Sequence, residues 1–386
     1  MKIAILFESL PSGGGAFTHS LNATLDLIRF FNRKNEFVVF TNSKENLKTF
    51  ENFNIKSEYF HHTFFDKLII YLSTLKFFRF IFQFLNIQIY LEKKIINQSF
   101  NLIFFPVLSS TIFSLKKVKF VSTLLDLEHF KHSIFPEITT KDYEYREKLH
   151  FYALPKSLLI ITSYASIKNE MCRHYSINKN KVIIIPYTPG RFLKSKNLKL
   201  KKYQNFKNYF FYPAQIWGHK NHIVILKAMS FLKEKYGLVI NLILSGRDRG
   251  YKKILMKYIK KNKLYKNVIF TGYVSSKEMD YLYQKCKCVI FTSLFGPNAI
   301  PPLEAWKYKK PIIINEKLKD VKKNNGFLVN VRNHRQVATY MRRVFLNQYP
   351  KKLIKSGNLE LKKIEKENKK RYKFLEQNIK KKLLNS

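Results

Sequence analysis

Phe291–Trp306 reads FTSLFGPNAIPPLEAW. Ahead of it, Cys288-Val289-Ile290-Phe291 has the length and composition of a buried strand. The chain then turns through Gly296, Pro297 and Asn298, passes Pro301-Pro302, and enters a predicted helix carrying Glu304 and Trp306. A strand whose loop feeds a helix N-terminus is where open α/β sheets put their ligands. Free backbone N–H groups at such a helix start hold anions. The second proline suits the first helical turn, where a missing N–H costs nothing. Glu304 is the odd residue. A carboxylate repels phosphate, so its natural partner is a hydroxyl-rich group next to the anion.

The same grammar runs outward along the chain. Strands are predicted at Lys2–Phe7, Glu36–Thr41, Asn101–Pro106, Lys119–Leu125, Leu158–Thr162 and Lys181–Pro186. A second set follows at Tyr209–Tyr212, Val239–Leu244, Val268–Thr271, Val289–Phe291 and Pro311–Ile314, with helices between. Strands alternating with helices make parallel sheets. The fold class is therefore α/β, with two Rossmann-like domains facing across a cleft between the carboxyl edges of their sheets. The expected bounds are 1–190 for the N-terminal domain, 191–207 for a lysine-rich linker, 208–365 for the C-terminal domain, and 366–386 for a basic helix. That last helix has the option of crossing back to the N-terminal domain.

Apolar residues make up 46% of the 386, enough for a sizeable core and against global disorder. Lysine and arginine number 71 against 26 acidic residues, a formal charge of +45. Two readings fit: a lysine-rich composition spread along the chain, or an acidic partner such as an anionic membrane or a phosphorylated substrate. Cys172, Cys286 and Cys288 are few, odd in number and without metal-ligand spacing, which points to a reduced, cytoplasmic setting. The apolar part of MKIAILFESLPSGGG is too short for a signal peptide.

Ser12-Gly13-Gly14-Gly15 follows the first strand and lets backbone approach a ligand. It lacks both the G-x-G-x-x-G spacing and a Walker lysine, so a plain tight turn reads equally well. Asp126 stands at the end of a strand, with Glu128, His129 and His132 close behind. Their spacing is a loop's, and no metal is expected. Lys220, in YPAQIWGHKNH, sits at the start of a helix, where ammonium and helix dipole focus positive potential on one point. Leu68–Lys94 is mostly Phe, Ile, Leu and Tyr, with one polar stripe at Lys76, Arg79, Gln83, Asn86 and Lys93. It reads as a helix or helix pair packed mainly in the core, with a membrane-facing tip as the other option.

These motifs together resemble a retaining glycosyltransferase of family four, with the GT-B fold, of a bacterial surface-polysaccharide branch. The resemblance rests on the GGG loop, LLDLEHFKHSIFPE, TSYASIKNEM followed by VIIIPY, YPAQIWGHKNH, TGYVSSKEM and FGPNAIPPLEAWKYKKPII, in that order. It implies a nucleotide-diphosphate sugar as substrate, held mostly by the C-terminal domain, and neither cofactor nor metal. By that resemblance Lys220 contacts the diphosphate, Glu304 the ribose, and the backbone of Asn298, Ala299, Ile300 and Pro301 the sugar and phosphates. Gly14 and Gly15 approach the donor, Tyr273 and Val274 lie where the base is held, and Gln215 and Gly246 line the same donor site. Asp126 joins Lys220 as a catalytic candidate, and Glu128 and His129 are candidates for the acceptor. Three positions depart from the pattern: Gln215 stands for an arginine, Gly296 for a first glutamate and Leu125 for a histidine.

The expected reaction is transfer of a hexosyl group to a hydroxyl of a glycan or polyprenyl-linked acceptor, with retention, at the inner face of the cell membrane. A nucleotide-sugar epimerase and an inactive donor-binding subunit on the same fold are the alternatives. A basic nucleic-acid-binding protein is a third, and no nucleic-acid motif supports it.

Overall fold

The computed structural model describes residues 1–131, 139–194, 201–204, 206–296, 300–318 and 321–385. Two compact units divide the chain. Of the described residues, the first takes 1–131, 139–186 and those from Lys366 onward, and the second takes those between Tyr187 and Glu365.

In the first unit the strands are β1 (Lys2–Leu6), β2 (Glu36–Thr41), β3 (Ser57–Tyr59), β4 (Leu102–Phe105), β5 (Phe120–Thr123), β6 (Leu159–Thr162) and β7 (Val182–Ile184). Among the described residues they form one parallel seven-stranded sheet in the order β3-β2-β1-β4-β5-β6-β7. KIAIL, LIFF and LIIT are apolar without alternation because helices cover both faces of a parallel sheet. β3 escapes a reading of apolar runs because SEY is polar and lies at the sheet edge.

The second unit contains β8 (Phe210–Pro213), β9 (Leu242–Ser245), β10 (Val268–Gly272), β11 (Cys288–Phe291), β12 (Ile312–Asn315) and β13 (Phe327–Val329). Their order is β10-β9-β8-β11-β12-β13, again all parallel. Of the expected linker, residues 195–200 and 205 lie outside the described residues. Tyr203 is buried in the second unit's core, and its hydroxyl donates to Glu278 Oε1 at 2.6 Å. An aromatic ring with a satisfied hydroxyl outweighs the polar lysines around it.

Leu68–Lys94 departs most from expectation. It breaks into the helices Phe64–Leu72, Lys76–Phe84 and Tyr90–Asn97. None of the residues of Lys76–Phe84 is buried, and Phe77, Phe80 and Phe84 are exposed along one side. Arg79, from the polar stripe, turns inward instead. Its guanidinium lies 4.1 Å from the centre of the Tyr152 ring and 5.6 Å from that of Phe113. Lys116 anchors the helix end by donating to the carbonyls of Phe82 and Ile87. Core packing for most of this stretch is therefore wrong, because cation–π contact draws the arginine in and leaves the phenylalanines out.

The long helix Lys352–Leu384 gives Leu353 to the second unit's core and Tyr372, Leu375 and Ile379 to the first's. Glu376 fixes its register in the first unit by accepting from Asn32 N–H and Asn35 Nδ2, both at 2.9 Å. Leu375→Ala should lower unfolding stability by about 2–4 kcal/mol, the usual cost of a buried leucine cavity. Thermal melts check this, with Leu359→Ala on an exposed position as the unperturbed control.

Candidate functional site

The second sheet reverses its order between β8 and β11. Loops leaving neighbouring strands in opposite directions open a crevice at such a point. The β8 loop delivers Lys220 on the turn Gly218–Lys220, and Asn221 then takes a left-handed conformation to start the helix His222–Tyr236. The β11 loop delivers Ser293. Lys220 Nζ lies 3.4 Å from Ser293 Oγ and 5.3 Å from the centre of the Phe291 ring. The two loops are stitched together. Leu294 N–H donates to the His219 carbonyl at 2.8 Å and Thr292 Oγ1 to the Asn221 carbonyl at 3.1 Å, while Tyr212 Oη, from β8 itself, donates to the Lys220 carbonyl at 2.7 Å. His219 also stacks on Phe295 with centres 4.5 Å apart. Lys220 is thus a cation held by a rigid frame at the sheet's carboxyl edge. His222 behind it is fully buried, and burial pulls its pKa down to about 3, so it adds no charge.

Glu304 lies on the helix Ile300–Lys307, which continues from the β11 loop, with Ile300 and Pro301 in its first turn. Asn298 and Ala299 lie outside the described residues. Only 4% of Glu304 is exposed. Its Oε2 accepts from the Tyr283 hydroxyl, and the Gly190 amide bonds the same carboxylate. Lys307 Nζ donates to the Gly190 carbonyl at 2.6 Å, so one helix grips both polar groups of Gly190. Burial raises the Glu304 carboxyl to about 7, with the Tyr283 hydrogen bond, Lys307 and the Gly190 amide pulling the other way.

The other donor-side candidates line the loops after β8, β9 and β10. Gln215 Oε1 accepts from Trp217 Nε1 at 2.7 Å, so its side chain braces the indole. Gly246 has φ +152°, and a Cβ there would collide with the Ala214 carbonyl, so this glycine lets the β8 and β9 loops touch. Tyr273 is 51% exposed, and Val274 is buried beneath the same loop. Arg247 sets its guanidinium 5.9 Å from the centre of the Tyr273 ring. Sequence reading missed Arg247, although it directly follows the strand-ending Gly246. Ser293, Tyr283 and Gly190 left no such signal, because only folding brings them to Lys220 and Glu304.

The remaining candidates belong to the first unit. Gly14 caps the helix Gly15–Phe30 with φ 65° and ψ −122°, a backbone shape suited to glycine, and Gly15 opens that helix. Asp126 follows β5. Its Oδ1 accepts from Glu128 N–H at 3.1 Å and lies 3.5 Å from Arg146 Nη1. Glu128 and His129 stand on the short helix Glu128–Lys131. His129 is buried, its Nε2 2.8 Å from Glu147 Oε1. Glu147 also accepts from Tyr175 at 2.6 Å and meets His174 Nε2 at 2.9 Å. His129, Glu147 and His150 bring one ligand atom each within 4.8 Å of one another. Burial lowers the pKa of His129 and takes that of His150, whose Nδ1 lies 3.0 Å from the Tyr175 hydroxyl, down to about 3. His132 lies outside the described residues.

Residues 177–360 match the family described as glycosyl transferases group 1. The O-antigen chain mannosyltransferase RfbU of Salmonella typhimurium is 26% identical over 157 residues, 41% of this chain and 42% of that protein. O-antigen chain mannosyltransferase B of Escherichia coli is 25% identical over 194 residues, 47% of this chain and 50% of that protein. The matched region thus spans half or less of each curated relative. Among solved structures, Anabaena Alr3699/HepE in complex with UDP-glucose aligns over 100% of both chains with TM-score 0.68 and 17% identity. WaaG, a glycosyltransferase involved in lipopolysaccharide biosynthesis, aligns over 94% of this chain and 95% of its own with TM-score 0.64 and 12% identity. Two parallel-sheet Rossmann-like units with these neighbours are the GT-B fold.

The folded chain holds the Glu304 proton more tightly than the unfolded chain does, because the carboxyl rises from 4.5 to about 7. Stability from this group is fully present below about pH 4.5 and is lost as pH rises through about 7. Glu304→Gln cannot ionise. It should gain about 3 kcal/mol on the unsubstituted protein between about pH 4.5 and pH 7.5. Urea midpoints of both proteins at the two pH values check this, and a constant difference counts against a proton held on Glu304.

Proposed function

We propose that the protein is a glycosyltransferase that moves a hexosyl group from a nucleoside-diphosphate sugar to a hydroxyl of a glycan or lipid-linked acceptor, with retention. The setting is synthesis of a bacterial surface polysaccharide. The observation that carries the reading is the Lys220–Ser293 pair at the β8/β11 reversal, inside the segment matched to glycosyl transferases group 1. The O-antigen mannosyltransferase relatives and the UDP-glucose complex of HepE support the substrate class.

In this mechanism the bond between the anomeric carbon and the diphosphate oxygen breaks, and the bond to the acceptor oxygen forms on the same face. Lys220 and backbone amides stabilise the departing diphosphate. The acceptor's proton passes to the leaving phosphate oxygen. Asp126 orients the acceptor or sugar, and Arg146 limits where its carboxylate can swing. Tyr273 and Arg247 offer an exposed ring and a planar cation to a base. Glu304 accepts ribose hydroxyls more strongly when ionised, so donor affinity should weaken on acidification below about pH 7. The scheme draws on no metal and no further cofactor. A thermal-shift screen of UDP- and GDP-sugars tests the reading, since a specific stabilising sugar nucleotide is expected and none would defeat it. Lys220→Ala should cut turnover about a hundredfold with the melting temperature preserved.

The protein acts at an anionic membrane surface. No described helix is long and apolar enough to cross a membrane. Phe77, Phe80 and Phe84 are exposed on one helix, with Lys67 and Lys76 exposed nearby. Aromatic rings beside lysines suit the headgroup boundary of anionic lipid. Flotation with phosphatidylglycerol vesicles should carry the protein upward. The triple replacement of Phe77, Phe80 and Phe84 by serine should leave most of it at the bottom.

A further inference from the structure

The first sheet has its own reversal, between β1 and β4. Here Glu8 follows β1, and Ser109 and Thr111 follow β4. Ser109 Oγ donates to Glu8 Oε2, and Thr111 Oγ1 donates to Glu8 Oε1 at 3.1 Å. His62, arriving beyond the end of β3, places Nε2 3.7 Å from Glu8 Oε1 and 3.4 Å from Thr111 Oγ1. The side chains of Glu8 and His62 are 17% and 12% exposed, so both are walled in yet reach solvent. Thr111 Oγ1 also reaches Glu8 Oε2 at 3.3 Å, so the carboxylate is held by two hydroxyls that entering sugar hydroxyls would share or displace. Such a group repels phosphate and accepts well from the hydroxyls of a sugar, while the serine, threonine and imidazole can exchange bonds with them.

Directly beyond His62 the surface turns apolar. Thr63 and Asp66 form a capping box that fixes the start of the helix Phe64–Leu72. Phe64 and Phe65 open that helix, both exposed, edge to face with ring centres 5.9 Å apart. The carboxylate cluster, through His62, and a bare aromatic pair starting at Phe64 are thus two residues apart along the chain. A soluble sugar would use only the first, and a plain lipid only the second.

Resting on the transferase reading for the ligand's role as acceptor, we propose that Glu8, with His62, Ser109 and Thr111, binds the sugar hydroxyls of an amphiphilic glycoside whose apolar tail lies against Phe64 and Phe65. The acceptor class is then a sugar on a long apolar aglycone, presented from the membrane that the neighbouring helix touches.

Calorimetric titration with methyl and n-octyl glycosides of mannose, glucose and galactose, each below its micelle-forming concentration, tests this on the full chain. At least one octyl glycoside should bind, about tenfold or more tighter than its methyl counterpart. Glu8→Gln should weaken that binding about tenfold. Joint replacement of Phe64 and Phe65 by serine should erase the octyl advantage and leave the methyl glycoside unaffected. If Glu8→Gln does not fold, Ser109→Ala is titrated in its place with the same expectation. Wild-type affinity in the Glu8 variant, equal binding of octyl and methyl glycosides, or no glycoside binding at all would each overturn the proposal. UDP and GDP are titrated into the same samples. Glycoside binding that depends on Glu8 without any nucleotide binding would keep the subsite and remove the transferase reading.

Discussion

Where a parallel sheet reverses its strand order, two adjacent loops leave in opposite directions and neither can cover the gap between them. Both sheets of this chain are built around such a gap. The chemistry at each gap follows from what its two flanking loops carry. At the β8/β11 reversal the loops carry Lys220 and Ser293, cross-tied by backbone and hydroxyl hydrogen bonds. At the β1/β4 reversal they carry Glu8, Ser109 and Thr111. The topology is the same and the charge is opposite. A fixed cation suits a diphosphate, and a hydroxyl-rimmed carboxylate suits a sugar.

Glu304 shows how the second gap is kept rigid. A buried carboxyl without partners would be costly, and this one is bonded by a tyrosine hydroxyl and a backbone amide. The ring of Tyr283 is itself held, stacked against Phe192 at 5.9 Å on one side and Tyr308 at 5.2 Å on the other. Tyr308 closes the chain of contacts by donating to Asp280. Two tyrosine–carboxylate hydrogen bonds are thus joined by stacked rings behind Glu304.

The excess of positive charge is spread over the molecule, and the apolar surface is concentrated. Helices Phe64–Leu72 and Lys76–Phe84 expose phenylalanines while Arg79 packs inward over Tyr152. This inverts the usual arrangement and is held in place by Lys116 on the helix-end carbonyls. Phe64, Phe65, Phe77, Phe80 and Phe84 are thus all exposed on two successive helices.

Much of the fold was legible because buried parallel strands are apolar runs of fixed length. KIAIL, LIFF, LIIT and CVIF declared themselves, whereas SEY at a sheet edge did not. The positions of Lys220 and Glu304 were readable for a similar local reason: they lie seven and thirteen residues beyond β8 and β11, beside or in the helix that follows. Sequence determined that the chain makes two such sheets and which loops face their carboxyl edges. It could not determine which loops become neighbours, because strand order is set by packing rather than by order along the chain. Tertiary structure alone decided that Ser293 meets Lys220, that Tyr283 and Gly190 close on Glu304, and that Glu8 gathers partners from 54 to 103 residues away. It also decided which side of the aromatic helix faces out. The periodicity of Lys76–Phe84 defined two faces, and only the rings of Tyr152 and Phe113, distant in sequence, chose the arginine face for the interior.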